Sequence, residues 1–141
     1  MNRSIIMRNA NKLVKNGYSR SEAMKRAWAL AKLPEITAKV KGTASADNRQ
    51  KALEHLTRYN ASDVSFRIAA DSNNAYDTNA VAVIASVKDK GAYVIGYLPK
   101  ALASDISPML TAGITAMTTG NVTGGYYSYM NYGAVISIRF A

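Results

Sequence analysis

The sequence predicts a mainly β protein with α helices: a compact six-stranded OB/SH3-like barrel with two surface helices, preceded by a basic helical hairpin. Three observations lead to this fold class. The hydrophobic period changes from helical to alternating near residue 35. Beyond it, short segments of similar length follow in the order β-α-β-β-β-α-β-β, which suits a compact barrel with helices on its surface. Most of the net positive charge lies before this change.

The first 34 residues have the pattern of two helices joined by a short turn. In the first, apolar residues recur on one face, and Gly17 follows as a C-terminal cap. Ser19 and Glu22 then form a capping box that opens the second helix, and Pro34 ends it. Trp28 lies on the apolar side of that helix, so its spacing favours an anchor of the helix pair over a base-stacking platform.

The remainder of the chain alternates between strands and helices. Asp47 and Gln50 form a second plausible helix cap, Pro99 suits a first helical position, and Pro108 must begin a fresh turn or bend its helix. The predicted strands are 35–41, 64–68, 80–87, 92–98, 114–122 and 134–140, and the predicted helices are 48–59 and the segment after Pro99. The predicted domains are a hairpin extension, 1–34, and a barrel domain, 35–141.

Composition narrows the range of functions. The chain of 141 residues, 48% of them hydrophobic, fits one domain with a core. It contains no cysteine and a single histidine, His55, which excludes a disulfide framework or thiolate metal site and argues against a histidine-rich metal site. The longest apolar run, 80–85, is far too short to cross a bilayer, and the N-terminus lacks a signal-peptide pattern. We expect a soluble cytoplasmic protein without a cofactor.

The positive charge is distributed unevenly. Residues 1–41 contain ten lysines and arginines against two glutamates, a net charge of +8, whereas residues 42–141 contain eight against seven acids, a net charge of +1. A basic element attached to a nearly neutral body is the electrostatic footprint of a polyanion binder. A solvated, solubilising helix pair is the alternative. The hairpin cations predicted to contact DNA are Arg8, Lys12, Lys15, Lys25 and Arg26.

A polar cluster at residues 72–79, immediately before an apolar strand, is the most informative local feature. Asparagine and aspartate side chains bond to their own backbone, so a structural turn is one interpretation, which we favour for Asn79. Tyr76 offers a face on which a base can stack, an interaction of about 1–3 kcal/mol. Asp77 repels phosphate but can accept a hydrogen bond from a hydroxyl at a chain end. Asn74 belongs to the same candidate site.

Together with the segment 96–103, which ends a strand in Gly-Tyr and starts a helix, this cluster resembles the signature of HIRAN domains. These are small β-rich modules at the front of some DNA-remodelling helicases, where they grip single-stranded DNA at its 3′ end. The resemblance implies that Tyr76 stacks on the DNA and that Asp77 accepts a hydrogen bond from the 3′-hydroxyl. It covers about residues 40–141 and includes 40–42, Arg49, Gln50 and 124–133.

Other residues are candidates for further DNA contacts. Residues 126–132 contain four tyrosines, and an uncharged aromatic cluster on a loop is typical of a contact surface. Tyr129 and Tyr132 are the natural second stacking platforms, and a tyrosine-rich hairpin packed on the barrel is the alternative. The candidates for phosphate contacts are Arg49, Arg67 and Lys100.

One segment departs from the family pattern. Helicase-attached members carry arginine and aromatic residues just after the first strand, whereas residues 43–46 of this chain are Thr-Ala-Ser-Ala. We expect the basic hairpin to supply the missing positive charge, which shifts binding toward general backbone contacts with a strong salt dependence.

The sequence thus favours a non-enzymatic DNA-binding module that prefers single strands or free 3′ ends. The alternative is a phage or mobile-element interaction protein that inhibits or recruits a nucleic-acid enzyme, so a nucleic-acid-processing protein is a second candidate partner. An enzyme is the weakest class, because the aspartates that a metal nuclease would need show no D-x-D or E-x-K spacing near a strand end. Those aspartates are Asp47, Asp71, Asp77 and Asp89.

Overall fold

The computed structural model describes residues 3–44, 47–125 and 130–140, apart from the side chain of Asp47. Within these ranges there are four α helices, six strands and a short 3-10 turn at Ala61–Asp63. The helices are α1 (Arg3–Lys15), α2 (Arg20–Lys32), α3 (Asp47–Leu56) and α4 (Lys100–Thr111). The strands are β1 (Ile36–Lys39), β2 (Val64–Ala70), β3 (Val81–Val87), β4 (Gly91–Tyr97), β5 (Ala116–Gly124) and β6 (Tyr132–Phe140). The predicted order of elements is confirmed.

Helices α1 and α2 form the N-terminal hairpin. Ser19 caps α2 as predicted, because its Oγ accepts a hydrogen bond from the Glu22 N–H at 3.2 Å. The Glu22 carboxylate bonds to Arg26 Nε at 3.0 Å. Gly17 has a φ of 105°, the left-handed conformation that ends α1 and allows the chain to reverse. Trp28 is partly buried and packs against the core, in agreement with its interpretation as an anchor.

The six strands form two antiparallel sheets of three strands, in the orders β1-β6-β5 and β2-β3-β4. In the first, Ile36 lies opposite Ile138 and Ala116 opposite Phe140. The two sheets are linked by an isolated antiparallel bridge between Lys41 and Tyr97, in which each backbone N–H donates to the other residue's carbonyl at 2.7 and 2.9 Å.

The predicted closed barrel is not confirmed. Strand β2 lies beside β5, and a Cβ on Gly120 of β5 would lie 3.1 Å from the Phe66 ring of β2, yet no strand pairing joins β2 and β5 in the part of the chain that the structure describes. The fold is therefore a mixed α and β structure of two sheets and surrounding helices. The predicted α and β elements are right, and the sheet is less closed than expected.

A single hydrophobic core runs through the hairpin and the sheets. Its most deeply buried large side chains come from both helices and sheets. They are Ile6 and Leu13 of α1, Leu53 of α3, Val81 and Val83 of β3, Ile95 of β4, and Ile136 and Ile138 of β6. Because the hairpin contributes to the same cluster as the sheets, it is packed on the body of the protein.

Helix α4 connects the hairpin to the sheets. It runs without interruption through Pro108, whose carbonyl accepts a hydrogen bond from the Ala112 N–H at 3.1 Å. Beyond its C-terminal end, Lys12 of α1 donates from Nζ to the Gly113 carbonyl at 3.0 Å, which places a cation near the negative end of the helix dipole.

Candidate nucleic-acid interface

The loop between β2 and β3 is built by its own polar side chains. Asn74 Oδ1 accepts hydrogen bonds from the N–H groups of Tyr76 and Asp77 at 2.9 and 3.1 Å. Asp77 Oδ1 accepts from the Asn79 N–H at 2.9 Å. Such side-chain-to-backbone bonds fix the turn locally, without help from the rest of the fold. Asn74 is therefore a structural residue of the loop as well as a candidate contact.

Tyr76 lies at the tip of this loop and is 99% exposed. A fully exposed tyrosine buries none of its apolar ring in the folded protein, which is unusual for an aromatic residue. The bonds to Asn74 hold the backbone beneath it, so both ring faces are available to a ligand.

Tyr97, at the end of β4, joins the loop to helix α3. Its hydroxyl donates to Asp71 Oδ2 at 3.2 Å, and the same oxygen accepts from Asn74 Nδ2 at 3.3 Å. The Arg49 guanidinium lies over the Tyr97 ring, 5.4 Å from its centroid, and donates to the Gly42 carbonyl at 2.9 Å. A cation at this distance is attracted to the ring face. These contacts hold four segments together: the loop, the end of β4, helix α3 and the chain at Gly42.

These segments enclose an open cleft of about 850 Å³. Its polar lining consists of Lys41, Arg49, Lys100, Asn74, Tyr76, Asp77 and Tyr97, and its apolar floor of Ala80, Leu98 and Ala103. Three cations face a single carboxylate, so the cleft attracts anions. Helix α4 begins at its rim, where Pro99 provides no side-chain cap, and the free N–H groups of a first helical turn also favour negative charge.

The structure brings five predicted site residues together in this cleft: Asn74, Tyr76, Asp77, Arg49 and Lys100. Arg67 does not join them. It is exposed on β2 and lines a separate groove of about 580 Å³ that includes Gly113, at the opposite end of α4 from the cleft.

The tyrosine-rich segment is only partly described. Tyr129 lies outside the described residues, so its predicted role stays a prediction. Tyr132 does not line the cleft: its N–H donates to Gln50 Oε1 at 2.8 Å, and its carbonyl accepts from Gln50 Nε2 at 2.9 Å. Gln50 Nε2 also donates to the Thr43 carbonyl at 2.9 Å. The Gln50 side chain, which was predicted to complete a helix cap, therefore connects the backbones of Thr43 and Tyr132.

None of the predicted hairpin cations lines the cleft. Lys12 is bonded to Gly113, and Arg26 pairs with Glu22 and lies 4.8 Å from the centroid of the Tyr18 ring. The other three are exposed: Arg8, Lys15 and Lys25.

Two residues of the cleft, Lys41 and Tyr97, were not predicted as site residues. The bridge between them places both on the cleft wall, although they are far apart in the sequence. Lys41 and Arg49 flank the uncharged segment 43–46 in the sequence and place positive charge on the cleft wall. Both belong to segments that carry the family resemblance, Tyr97 to the strand that ends in Gly-Tyr before Pro99 and Lys41 to residues 40–42.

Other chemistry is sparse in the described ranges. They contain no group of three or more acidic, histidine or cysteine side chains that could hold a metal ion. His55 is bonded to two tyrosine hydroxyls, from Nε2 to Tyr59 at 3.2 Å and from Nδ1 to Tyr93 at 3.3 Å, and so has a structural environment. No helix among the same residues is both long and apolar enough to span a membrane.

Comparison with known proteins identifies one family. A family model described as the HIRAN domain matches residues 35–137. Among solved structures, a protein from Lactobacillus plantarum determined by the Northeast Structural Genomics Consortium aligns over 75% of this chain and 97% of its own, at 17% sequence identity and a TM-score of 0.46. No curated protein matches the chain.

Proposed function

Because the chain belongs to the HIRAN domain family, we propose that it is a non-enzymatic DNA-binding module that prefers single strands with a free 3′-hydroxyl. Membership of the family suggests DNA binding, and the finer preference rests on the cleft. One observation carries it: an exposed tyrosine and a carboxylate stand next to each other on a fixed loop, facing three cations.

Each group of the cleft has a distinct part in this proposal. Tyr76 stacks on a base, which requires no particular sequence because every base has an aromatic face. Lys41, Arg49 and Lys100 bind phosphates, and these contacts weaken as the salt concentration rises. The floor of the cleft is apolar and small, so a sugar or base can approach the backbone closely.

Asp77 provides the preference for a hydroxyl end. Its Oδ1 is occupied by the Asn79 N–H, and Oδ2 makes no hydrogen bond within the described part of the chain, which leaves it free to accept from a 3′-hydroxyl. A 3′-phosphate has no such donor at neutral pH and brings negative charge beside the carboxylate, where like charges repel. Asp77 Oδ2 therefore favours a 3′-hydroxyl end and disfavours a 3′-phosphate end.

The Asp77→Asn variant tests this role without disturbing the loop. The carboxamide keeps the oxygen that Asn79 needs, but it removes the charge and replaces the free acceptor with a donor. We expect the wild type to bind a 3′-hydroxyl oligonucleotide about tenfold more tightly than the 3′-phosphate form, about 1.4 kcal/mol. The variant should lose most of this difference, measured by fluorescence anisotropy with a 5′-labelled single strand at low salt. Undiminished discrimination by the variant would exclude Asp77 as the source.

The Tyr76→Ala variant should weaken DNA binding without affecting stability. Loss of one stacked base costs about 1–3 kcal/mol, so we expect the dissociation constant to rise by a factor of about 5 to 150. The thermal midpoint should not change, because the side chain is 99% exposed and packs against nothing. Tyr76→Phe is the matched control and should bind normally. Equal weakening in both variants would mean that the hydroxyl, and not the ring face, is recognised.

The absence of catalysis is part of the proposal and has its own measurement. A labelled single strand and a labelled duplex incubated with the protein and Mg²⁺ should remain intact on a denaturing gel. Divalent-metal-dependent cleavage would replace the proposed binding module with a nuclease.

A further inference from the structure

The exposed surface of the hairpin carries cations along its whole length. Helices α1 and α2 are antiparallel about a turn at 16–19, so residues whose numbers sum to about 35 lie at the same level. This places Arg3 level with Lys32 at the open end and Lys15 level with Arg20 near the turn, with Arg8 and Lys25 between them. We name this set the basic strip: Arg3, Arg8, Lys15, Arg20, Lys25 and Lys32.

The basic strip is exposed and uncompensated. All six side chains are exposed, and none forms an ion pair with a described residue. The only carboxylate on either helix, Glu22, is bonded to Arg26. Arg8 and Lys15 are seven residues apart, as are Lys25 and Lys32, and this spacing puts each pair on one helix face, two turns apart. The charges therefore point to an anionic partner with a linear repeat.

A membrane surface fits the hairpin poorly. An interfacial helix needs a free apolar face, and the apolar faces of α1 and α2 are already buried in the core through Ile6, Leu13 and Leu30. In the described part of the hairpin, the exposed large hydrophobic side chains are Met7 and Leu33 alone. What remains on the outside is charge.

The strip and the cleft are held at different positions along α4. Lys100 at the first residue of α4 lines the cleft, whereas Lys12 of α1 bonds to Gly113 just beyond the last. Side chains of α2 share a pocket with Asp105 and Met109, in the middle and the C-terminal half of α4. Because α4 has 12 residues, these ends are roughly 18 Å apart. Arg67 also lies at the hairpin end of this helix.

We propose that the basic strip binds the phosphate backbone of the same DNA strand whose 3′ end occupies the cleft, at a segment several nucleotides away. This inference rests on the proposed function. The strip makes no base-specific contact, so it adds affinity and salt dependence without changing which end is recognised. Binding thereby depends on the length of the strand.

The expected length follows from the dimensions. At a stacked spacing of about 3.4 Å per nucleotide, the roughly 18 Å along α4 corresponds to about five nucleotides. A helix of 13 residues is roughly 20 Å long, which adds about six more along the strip. A strand of about 4 nucleotides therefore reaches only the cleft, and one of about 20 reaches both surfaces.

The test compares these two lengths across a salt series. For the wild type, the slope of log K against log salt should be steeper for the 20-mer, by up to about 4 if all six cations act at about 0.7 per contact. The variant Arg8→Gln, Lys15→Gln, Lys25→Gln and Lys32→Gln should lose about 3 of this slope on the 20-mer and none on the 4-mer. Both proteins should keep the preference for a 3′-hydroxyl on either length.

The matched control removes the same number of exposed charges elsewhere: Lys51→Gln, Lys88→Gln, Lys90→Gln and Arg139→Gln. It should keep the wild-type difference in slope between the two lengths. Equal slopes for both lengths in the wild type, or equal losses in the two quadruple variants, would overturn the inference. So would strip-dependent binding of anionic lipid vesicles with no length effect on DNA. A wild type that shows the length effect but no 3′-hydroxyl preference would instead overturn the proposed function of the cleft.

Discussion

The Gly96→Val variant is expected to lose both stability and DNA binding. Gly96 is buried on β4, and a Cβ at this position would overlap the Lys41 carbonyl and lie 2.6 Å from Val40 Cγ1. The backbone must then move apart where the Lys41–Tyr97 bridge links the two sheets. Inserting carbon atoms into a packed site of this kind costs about 1–3 kcal/mol, and we expect the upper end because valine adds three.

Binding should fall further than the loss of stability explains. Lys41 and Tyr97 are both part of the cleft wall, so separating them removes one phosphate contact and shifts the Tyr97 ring away from Arg49. We expect at least about a tenfold loss of affinity for single-stranded DNA at a temperature where the variant is folded, about 1.4 kcal/mol. Urea unfolding and fluorescence anisotropy measure the two effects separately. Ala92→Val, at an exposed position of the same strand, is the control and should leave stability and binding unchanged. If a destabilised Gly96→Val protein bound DNA normally, the Lys41–Tyr97 bridge would not be needed for the binding site.

The Leu13→Ala variant should destabilise the whole protein by about 2–5 kcal/mol. Leu13 is completely buried, in a cluster that also contains side chains of β3, β4 and β6, so its removal leaves a cavity in a core shared by hairpin and sheets. Urea unfolding followed by far-UV and near-UV circular dichroism should give one transition at the same lowered midpoint. Met7→Ala, at an exposed position of the same helix, is the control and should cost little.

The number of unfolding transitions in Leu13→Ala decides whether the hairpin is an independent unit. Two separate transitions, with an early loss of helix and no change in the near-UV signal of the sheets, would mean that it is. A single transition would mean that the hairpin and the sheets unfold together. This outcome also bears on the predicted division at residue 34, which the fold by itself leaves as a prediction.

Local chemistry explains which parts of the fold were predictable. Ser19 ends a turn and caps a helix through a bond three residues away, and Pro99 precedes the first residue of α4, so both signals act within one turn of backbone. The alternation of β5 and β6 records which side chains face the core. Alternation does not record which strand edges meet, and for this reason the pairing into two sheets could not be derived from the sequence.

The same distinction between local and long-range contacts explains which residues of the candidate site were predictable. Asn74, Tyr76 and Asp77 lie within four residues, and their geometry is set by bonds among themselves, so the sequence shows them together. Lys41 and Tyr97 meet only because two sheets are joined at one bridge. Arg67 shows the opposite error, since a cation near the motif in the sequence lies at the far end of α4 in the fold.

The position of Trp28 gives this protein a built-in optical reporter. It is the only tryptophan in the chain, and it lies on α2, half-buried against the core and outside the lining of the cleft. Its emission therefore senses the hairpin and not the cleft. A short strand confined to the cleft should leave the emission spectrum unchanged, and a long strand that reaches the hairpin should perturb it. Unlabelled protein and unlabelled DNA thus suffice to distinguish occupancy at the two ends of α4.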